Sequence, residues 1–287
     1  ENGQVYLKST TSTGGLTDTQ YEQAYTCVKI SLNTKDYRGY LNDDDGTSTV
    51  IVPLKTATAA TQVSFQWFKL SAGIDSLDNF PALNSLPVKT GWPARRPPLL
   101  RVELINLQQG NPIATLDGSS GAWTTYLYPK KKGGVLPQYN FLTIDGRDHS
   151  GSPSPLNTPK SVWCNEDVTT NLSSYVCDAT ITLPAGVDTT NGGVYLRVTS
   201  MYNSTDISAT PQYLVGADVH DAELVQVQPS IDSTGRASDV FRRVEARVES
   251  ADDEAAYPRA TIDITNSICK VLSVTDTYSG TSGSCTP

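Results

Sequence analysis

Apolar and polar residues alternate with a period of two along most of this chain, the signature of strands with one buried face. In the segment 63–70, Val63, Phe65 and Trp67 share one side, and Phe68 with Leu70 then breaks the phase. Val50 to Leu54 forms a shorter run before it. The stretch 99–107 resumes the alternation with Leu100, Val102 and Leu104 on one side, and AWTTYLYP (122–129) continues in the same manner. Later runs are YVCDATITL (175–183), GGVYLRVTSMY (192–202), VFRRVEARV (240–248) and ATIDIT (260–265). Their recurrence at short intervals, with turn residues between, predicts a mainly β fold of the antiparallel β-sandwich type.

In the run 240–249, Val244, Ala246 and Val248 alternate with Arg243, Glu245, Arg247 and Glu249. Burying the charged side would cost far more than a strand recovers, so the apolar side is expected to face a core. On that expectation Val244→Asp unfolds the domain. Near the N-terminus, Tyr21, Ala24, Tyr25 and Val28 stand three and four apart, with Thr17 or Thr19 as a candidate cap. A short N-terminal helix is expected there, running into a strand over Cys27 to Leu32.

Prolines at 81, 87, 93, 97 and 98 interrupt the pattern between the first strands and residue 99. The stretch DGRDHSGSPSPLNTP (145–159) has the composition of a linker or long loop. It divides the chain into an N-terminal helix–strand and variable β region (1–159) and a C-terminal sandwich-like domain (160–287).

Composition narrows the functional classes. The 287 residues include 22 basic and 30 acidic ones, a formal net charge of −8. Such a surface repels nucleic acid and anionic lipid, so neither is an expected partner. No run approaches the 18 or so apolar residues needed to span a bilayer. Glu1 is not a methionine, and any targeting or anchoring segment is expected upstream of it.

Five cysteines stand at 27, 164, 177, 269 and 285. Neither close pair has the spacing of a zinc or redox motif. Proximity predicts disulfides Cys164–Cys177 and Cys269–Cys285, and with them an oxidising compartment. The state of Cys27 is left open.

Candidate chemistry is sparse. Asp43-Asp44-Asp45-Gly46 gathers oxygen ligands in a turn, but without the spacing of an EF-hand; a solvated turn is expected rather than calcium. His149 lies in the polar cluster 145–149, and His220 is flanked by Asp218 and Asp221; a hydrogen-bonded loop histidine is the simpler reading of His220. No G-x-S-x-G, H-E-x-x-H or P-loop motif occurs, and no cofactor is expected. An extracellular hydrolase would need Asp145, Asp148, Glu166 or Asp167 to meet a second carboxylate in a cleft. A carbohydrate-binding sandwich would expose an aromatic platform drawn from Trp67, Trp92, Trp123 or Trp163. Sequons occur at Asn171 and Asn203.

The phrase IDSTGRASDVFRRVEARVE (231–249), with GGVYLRVTSMYNSTDISA and VQVQP before it and AAYPRATIDIT after it, resembles the ectodomains of PilX-like minor type IV pilins of the ultrasmall Saccharibacteria and related lineages. The early segment EQAYTCVKISLNTKDYRGYL (22–41) is similar to the part that follows the long N-terminal helix of those proteins. The resemblance covers about a third of the chain, and its most specific element runs from Gly235 to Arg247. It implies a non-enzymatic role in pilus assembly, tip display or attachment to a host cell. It further implies other pilins or pilus assembly proteins as partners, an extracellular location on the cell surface, and a membrane-anchoring N-terminal helix that this chain lacks. No catalytic residues carry over. The alternative is a secreted or surface-anchored adhesin or carbohydrate-binding sandwich.

Overall fold

The computed structural model describes residues 5–6, 24–43, 48–69, 88–108, 121–131, 139–140, 160–165, 175–237 and 240–248. Fifteen strands run through these residues. They are β1 (Val5–Tyr6), β2 (Ala24–Thr34), β3 (Tyr37–Leu41), β4 (Thr49–Pro53), β5 (Gln62–Lys69), β6 (Leu99–Asn106), β7 (Ala122–Lys131) and β8 (Tyr139–Asn140). They continue with β9 (Lys160–Cys164), β10 (Tyr175–Thr182), β11 (Val194–Met201), β12 (Thr205–Val215), β13 (Asp218–Asp221), β14 (Leu224–Ala237) and β15 (Val240–Arg247). The fold is mainly β, as the alternation predicts.

Most strands belong to one large, nearly closed, barrel-like sheet in the order β13-β12-β5-β10-β9-β7-β6-β11-β4, with β3 also on β12 and β8 on β10. The sheet is mixed, not purely antiparallel, because β7 runs parallel to β9 and β8 parallel to β10. Curling the sheet gives it one interior, and each strand points alternate side chains into it. Cross-strand register lines these residues up in rows: Val52, Leu196, Leu104 and Trp123 occupy facing positions on β4, β11, β6 and β7. A second set comprises Ile207, Trp67 and Cys177 on β12, β5 and β10, with Cys164 opposite Cys177 on β9. All of these side chains are buried in one cluster. The Trp67 indole N–H is satisfied inside it by the Pro98 carbonyl at 3.2 Å.

Two sequence expectations hold in detail. Leu100, Val102 and Leu104 are fully buried on β6, and Val63, Phe65 and Trp67 on β5. The break of phase at Phe68 has a backbone cause, a φ of 65° that rotates the strand's end.

Other expectations are corrected. Ala24–Thr34 is a strand, so the helical spacing that included Ala24, Tyr25 and Val28 does not produce a helix there; residues 17–23 lie outside the described ones. Strands from both sides of residue 160 share the large sheet: β9 and β10 lie between β7 and β5, and β11 lies between β6 and β4.

Strands β2, β14 and β15, with β1 at the edge, make a second sheet in the order β1-β2-β14-β15. Strand β2 continues through Lys35 and Asp36 into β3, and the start of β14 pairs with the end of β2, so this sheet extends from the barrel as an arm. A register shift between Val225 and Ser230 marks the crossing, where Gln226 has a φ of 58°. Strand β15 is the largest correction. Its apolar residues do not pack centrally: Val240, Val244 and Val248 are 61%, 60% and 52% exposed.

Cys164 and Cys177 face each other across β9 and β10 and are joined by a disulfide with a Cα–Cα distance of 4.1 Å. Their separation of 13 residues leads us to expect that replacing both with alanine removes about 3 kcal/mol of stability. Thermal unfolding of the double variant, compared with the oxidised parent chain, checks this. An unchanged melting temperature would show that the closed loop adds nothing.

Candidate functional site

Two surfaces of the arm stand out, and both follow from the alternation of its strands. Residues opposite one another in register share a face. Lys29, Asp232 and Glu245 form one cross-strand row, and Arg243 and Arg247 lie on the same side of β15. The other side carries Val28, Ser233 and Val244 in one row and Ile30, Ile231 and Ala246 in the next.

The polar face is tied together by charge. The Arg243 Nε lies 2.8 and 2.9 Å from the two Asp232 carboxylate oxygens. This hydrogen bond holds the exposed Asp232 carboxyl below its ordinary value. Arg247 donates to Glu245 at 2.9 Å and reaches past it to Asp36 at 3.0 Å.

Asp36 sits at the turn where β2 leaves the arm and becomes β3. Its carboxylate also accepts from the Arg38 Nε at 2.6 Å and the Ser208 hydroxyl at 3.2 Å. Gln228, where β14 crosses, closes the junction: its amide accepts from the Arg38 N–H at 2.9 Å and donates to the Arg38 carbonyl at 2.7 Å. A side-chain amide there does the work of a missing ladder partner. An open cleft of about 320 Å³ lies over this junction, lined by Arg38, Lys69, Tyr175, Asp206, Glu245 and Arg247. The Lys69 ammonium stands 4.8 Å from the centre of the Tyr175 ring, and the Tyr175 hydroxyl donates to the Ile207 carbonyl at 3.2 Å. Burial, with Asp206 nearby, pushes the Tyr175 phenol up to about 12, so it remains a neutral donor.

Burial alone would raise the Asp36 carboxyl, but the hydrogen bond from Arg38 and the charges of Arg247 and Arg38 outweigh it, and the group lies below 3.8. A paired-carboxylate hydrolase needs one acid held protonated near neutrality; Asp36 is shifted the opposite way. Its chemistry here is cohesion.

The remaining candidates are dispersed. Trp67, Trp92 and Trp123 are buried and Trp163 is half-buried. Trp92 stacks on Tyr202, centroids 4.4 Å apart, and Tyr202 adopts a φ of 87° in that position. These three indoles therefore give a sugar no platform. Asn203 donates its Nδ2 to the carbonyls of Pro93 and Arg96, both at 2.8 Å, and to that of Ala94 at 3.4 Å. Asp43 pairs with Lys89 at 2.8 Å, while Asp44 and Asp45 fall outside the described residues, so the calcium question is not addressed. Among the described residues no group of three or more His, Cys, Asp or Glu is placed to hold a metal. His220 is exposed on β13 and stacks on Tyr213 at 5.4 Å.

His149, Asp145, Asp148, Glu166, Asp167, Asn171, Cys269 and Cys285 lie outside the described residues, as does the side chain of Cys27, whose backbone pairs with Thr234. No helix among the described residues is long and apolar enough to cross a membrane. Sequence reasoning missed the cleft because its residues are scattered over β3, β5, β10, β12 and β15. Only Glu245 and Arg247 had drawn notice, as part of the charge alternation.

No family model, no curated protein and no solved structure matches the chain.

We expect Asp36→Asn to lower stability by about 1–3 kcal/mol at neutral pH, since it removes charge-assisted hydrogen bonds from two arginines. Because the folded-state value is depressed, this contribution is complete above 3.8 and fades as pH falls through the lower folded value. Denaturant titrations of both chains should therefore differ at pH 7 and converge in strong acid. A difference that persists unchanged in acid would remove Asp36 from the junction.

Proposed function

We propose that the chain is a non-enzymatic assembly subunit displayed outside the cell, the ectodomain of a minor type IV pilin. Its partners are other pilins or pilus assembly proteins, with a host-cell surface as the further contact. The observation that carries this reading is the arm's bare apolar face. Val28, Ile30 and Leu32 on β2 are 57%, 65% and 57% exposed, beside the equally exposed valines of β15. Monomeric proteins rarely leave a contiguous apolar patch of several hundred Å² uncovered, and larger ones mark interaction surfaces.

Two further observations support it. The Cys164–Cys177 bond suits an oxidising compartment. The cleft at the arm's root is occupied by mutually neutralising pairs that stiffen the connection between arm and barrel, a role suited to a load-bearing part.

The reading predicts that the protein co-purifies with sheared surface filaments from cells that make it, with Cys164 and Cys177 oxidised. Antibody labelling of the filament fraction and thiol mapping read this. Recovery in the cytoplasm with both thiols free would overturn it.

A further inference from the structure

We infer that Asn191 is a site of spontaneous covalent modification: its side-chain amide cyclises onto the backbone nitrogen of Gly192 and is hydrolysed to an aspartyl or isoaspartyl residue, at a pace set by Asp188. The inference is independent of the assembly reading. What each group in the loop between β10 and β11 is bonded to carries it.

Cyclisation needs a backbone nitrogen able to attack the side-chain amide of the residue before it. A glycine in that second position leaves the nitrogen unshielded by any Cβ. The chain holds two Asn-Gly pairs, at 2–3 and 191–192, and the second lies among the described residues. Asn191 is exposed, and the Gly192 N–H makes no hydrogen bond among the described residues. Other asparagines lack one or both conditions. Asn106 is buried, and the Asn203 amide is committed to the carbonyls of Pro93 and Arg96, both at 2.8 Å.

The step balances with water as the only co-reactant. The Gly192 nitrogen gives up its proton and bonds to Asn191 Cγ, the Cγ–Nδ2 bond breaks, and Nδ2 leaves with that proton as ammonia. Water then opens the ring. Attack at Cγ yields an aspartyl residue, whereas attack at the main-chain carbonyl carbon routes the backbone through Cγ and yields the isoaspartyl form. Nothing is oxidised or reduced.

Asp188 restrains the step. Its Oδ2 accepts from Asn191 Nδ2 at 2.6 Å, while Oδ1 accepts from the Thr190 N–H at 2.9 Å and the Thr190 hydroxyl at 2.7 Å. A donor bonded to a carboxylate is polarised toward it, which makes Cγ a poorer electrophile. The bond must also be given up before Nδ2 can leave.

The loop is pinned on either side of Asn191. The buried Thr189 hydroxyl holds the Thr56 hydroxyl at 2.6 Å and the Ala60 N–H at 2.9 Å. The Gly193 carbonyl accepts from the Leu107 N–H at 2.6 Å, and an added Cβ at Gly193 would meet the Gln108 backbone at 3.2 Å. An isoaspartyl residue lengthens the main chain by one atom between these pins, so it loosens the start of β11, where Val194 pairs with Asn106.

Peptide mapping by mass spectrometry, on the whole chain held in warm, mildly alkaline buffer until most of a free peptide of sequence 187–195 has converted, tests the inference. The expected result is a gain of about one dalton at Asn191, with isoaspartyl product, before any other asparagine among the described residues. Asp188→Ala speeds the conversion by about two- to tenfold, the worth of one exposed hydrogen bond. Near-ultraviolet circular dichroism checks that this variant keeps the fold. The isoaspartyl fraction melts below the parent, and Asn191→Asp, which copies the charge without the added atom, melts closer to it. An Asn191 that stays intact in the folded chain while the free peptide converts overturns the inference. So does a rate that Asp188→Ala leaves unchanged, and an isoaspartyl fraction that melts with the parent overturns the loosening of β11.

Discussion

The pairing of β2 with β14 is the constraint on which the rest of the structure depends. It brings residues 24–34 against 224–236, joining early and late parts of the chain across nearly its whole described length. Without it the hairpin of β14 and β15 has no place beside β2, the arm has no face, and Gln228 does not reach Arg38. Such contacts are long-range, and their loop-closure entropy must be met before any packing is gained. Local hairpins offset this, β12 with β13 in the barrel and β14 with β15 in the arm, and assemble around the distant pairs.

Much of the barrel was legible in the sequence because a strand with one buried face writes its burial directly into a period of two. Leu100, Val102 and Leu104 could be assigned to an interior from spacing alone, and Phe68 announced an irregularity by breaking phase. The same rule misled at β15. Alternation says that two faces differ, but not that the apolar one is covered, and Val244 satisfies the pattern while remaining largely exposed. Over residues 24–28 the chain is a strand and not the expected helix, for a related reason. Three-and-four spacing over so few positions is weak evidence against a pairing partner two hundred residues away. The linker-like stretch 145–159 lies outside the described residues, while strands on both sides of it share one sheet. The cleft was invisible because Arg38, Lys69, Tyr175 and Asp206 lie on four different strands.

The two faces of the arm divide its roles. On one, Arg243 with Asp232 and Arg247 with Asp36 consume their charges internally and hold the arm to the barrel. On the other, no charge is spent over most of the strand length, and apolar area is left for a partner. A paired root and a bare face suit the assembly role proposed above.

The Asn203 clamp has a consequence for how the protein can be made. Its amide nitrogen is the atom an oligosaccharyltransferase would modify, and that nitrogen already holds the carbonyls of Pro93 and Arg96 together. A sugar on that nitrogen would leave it a single N–H, enough for one of those carbonyls, so a glycan and this clamp exclude each other whichever forms first.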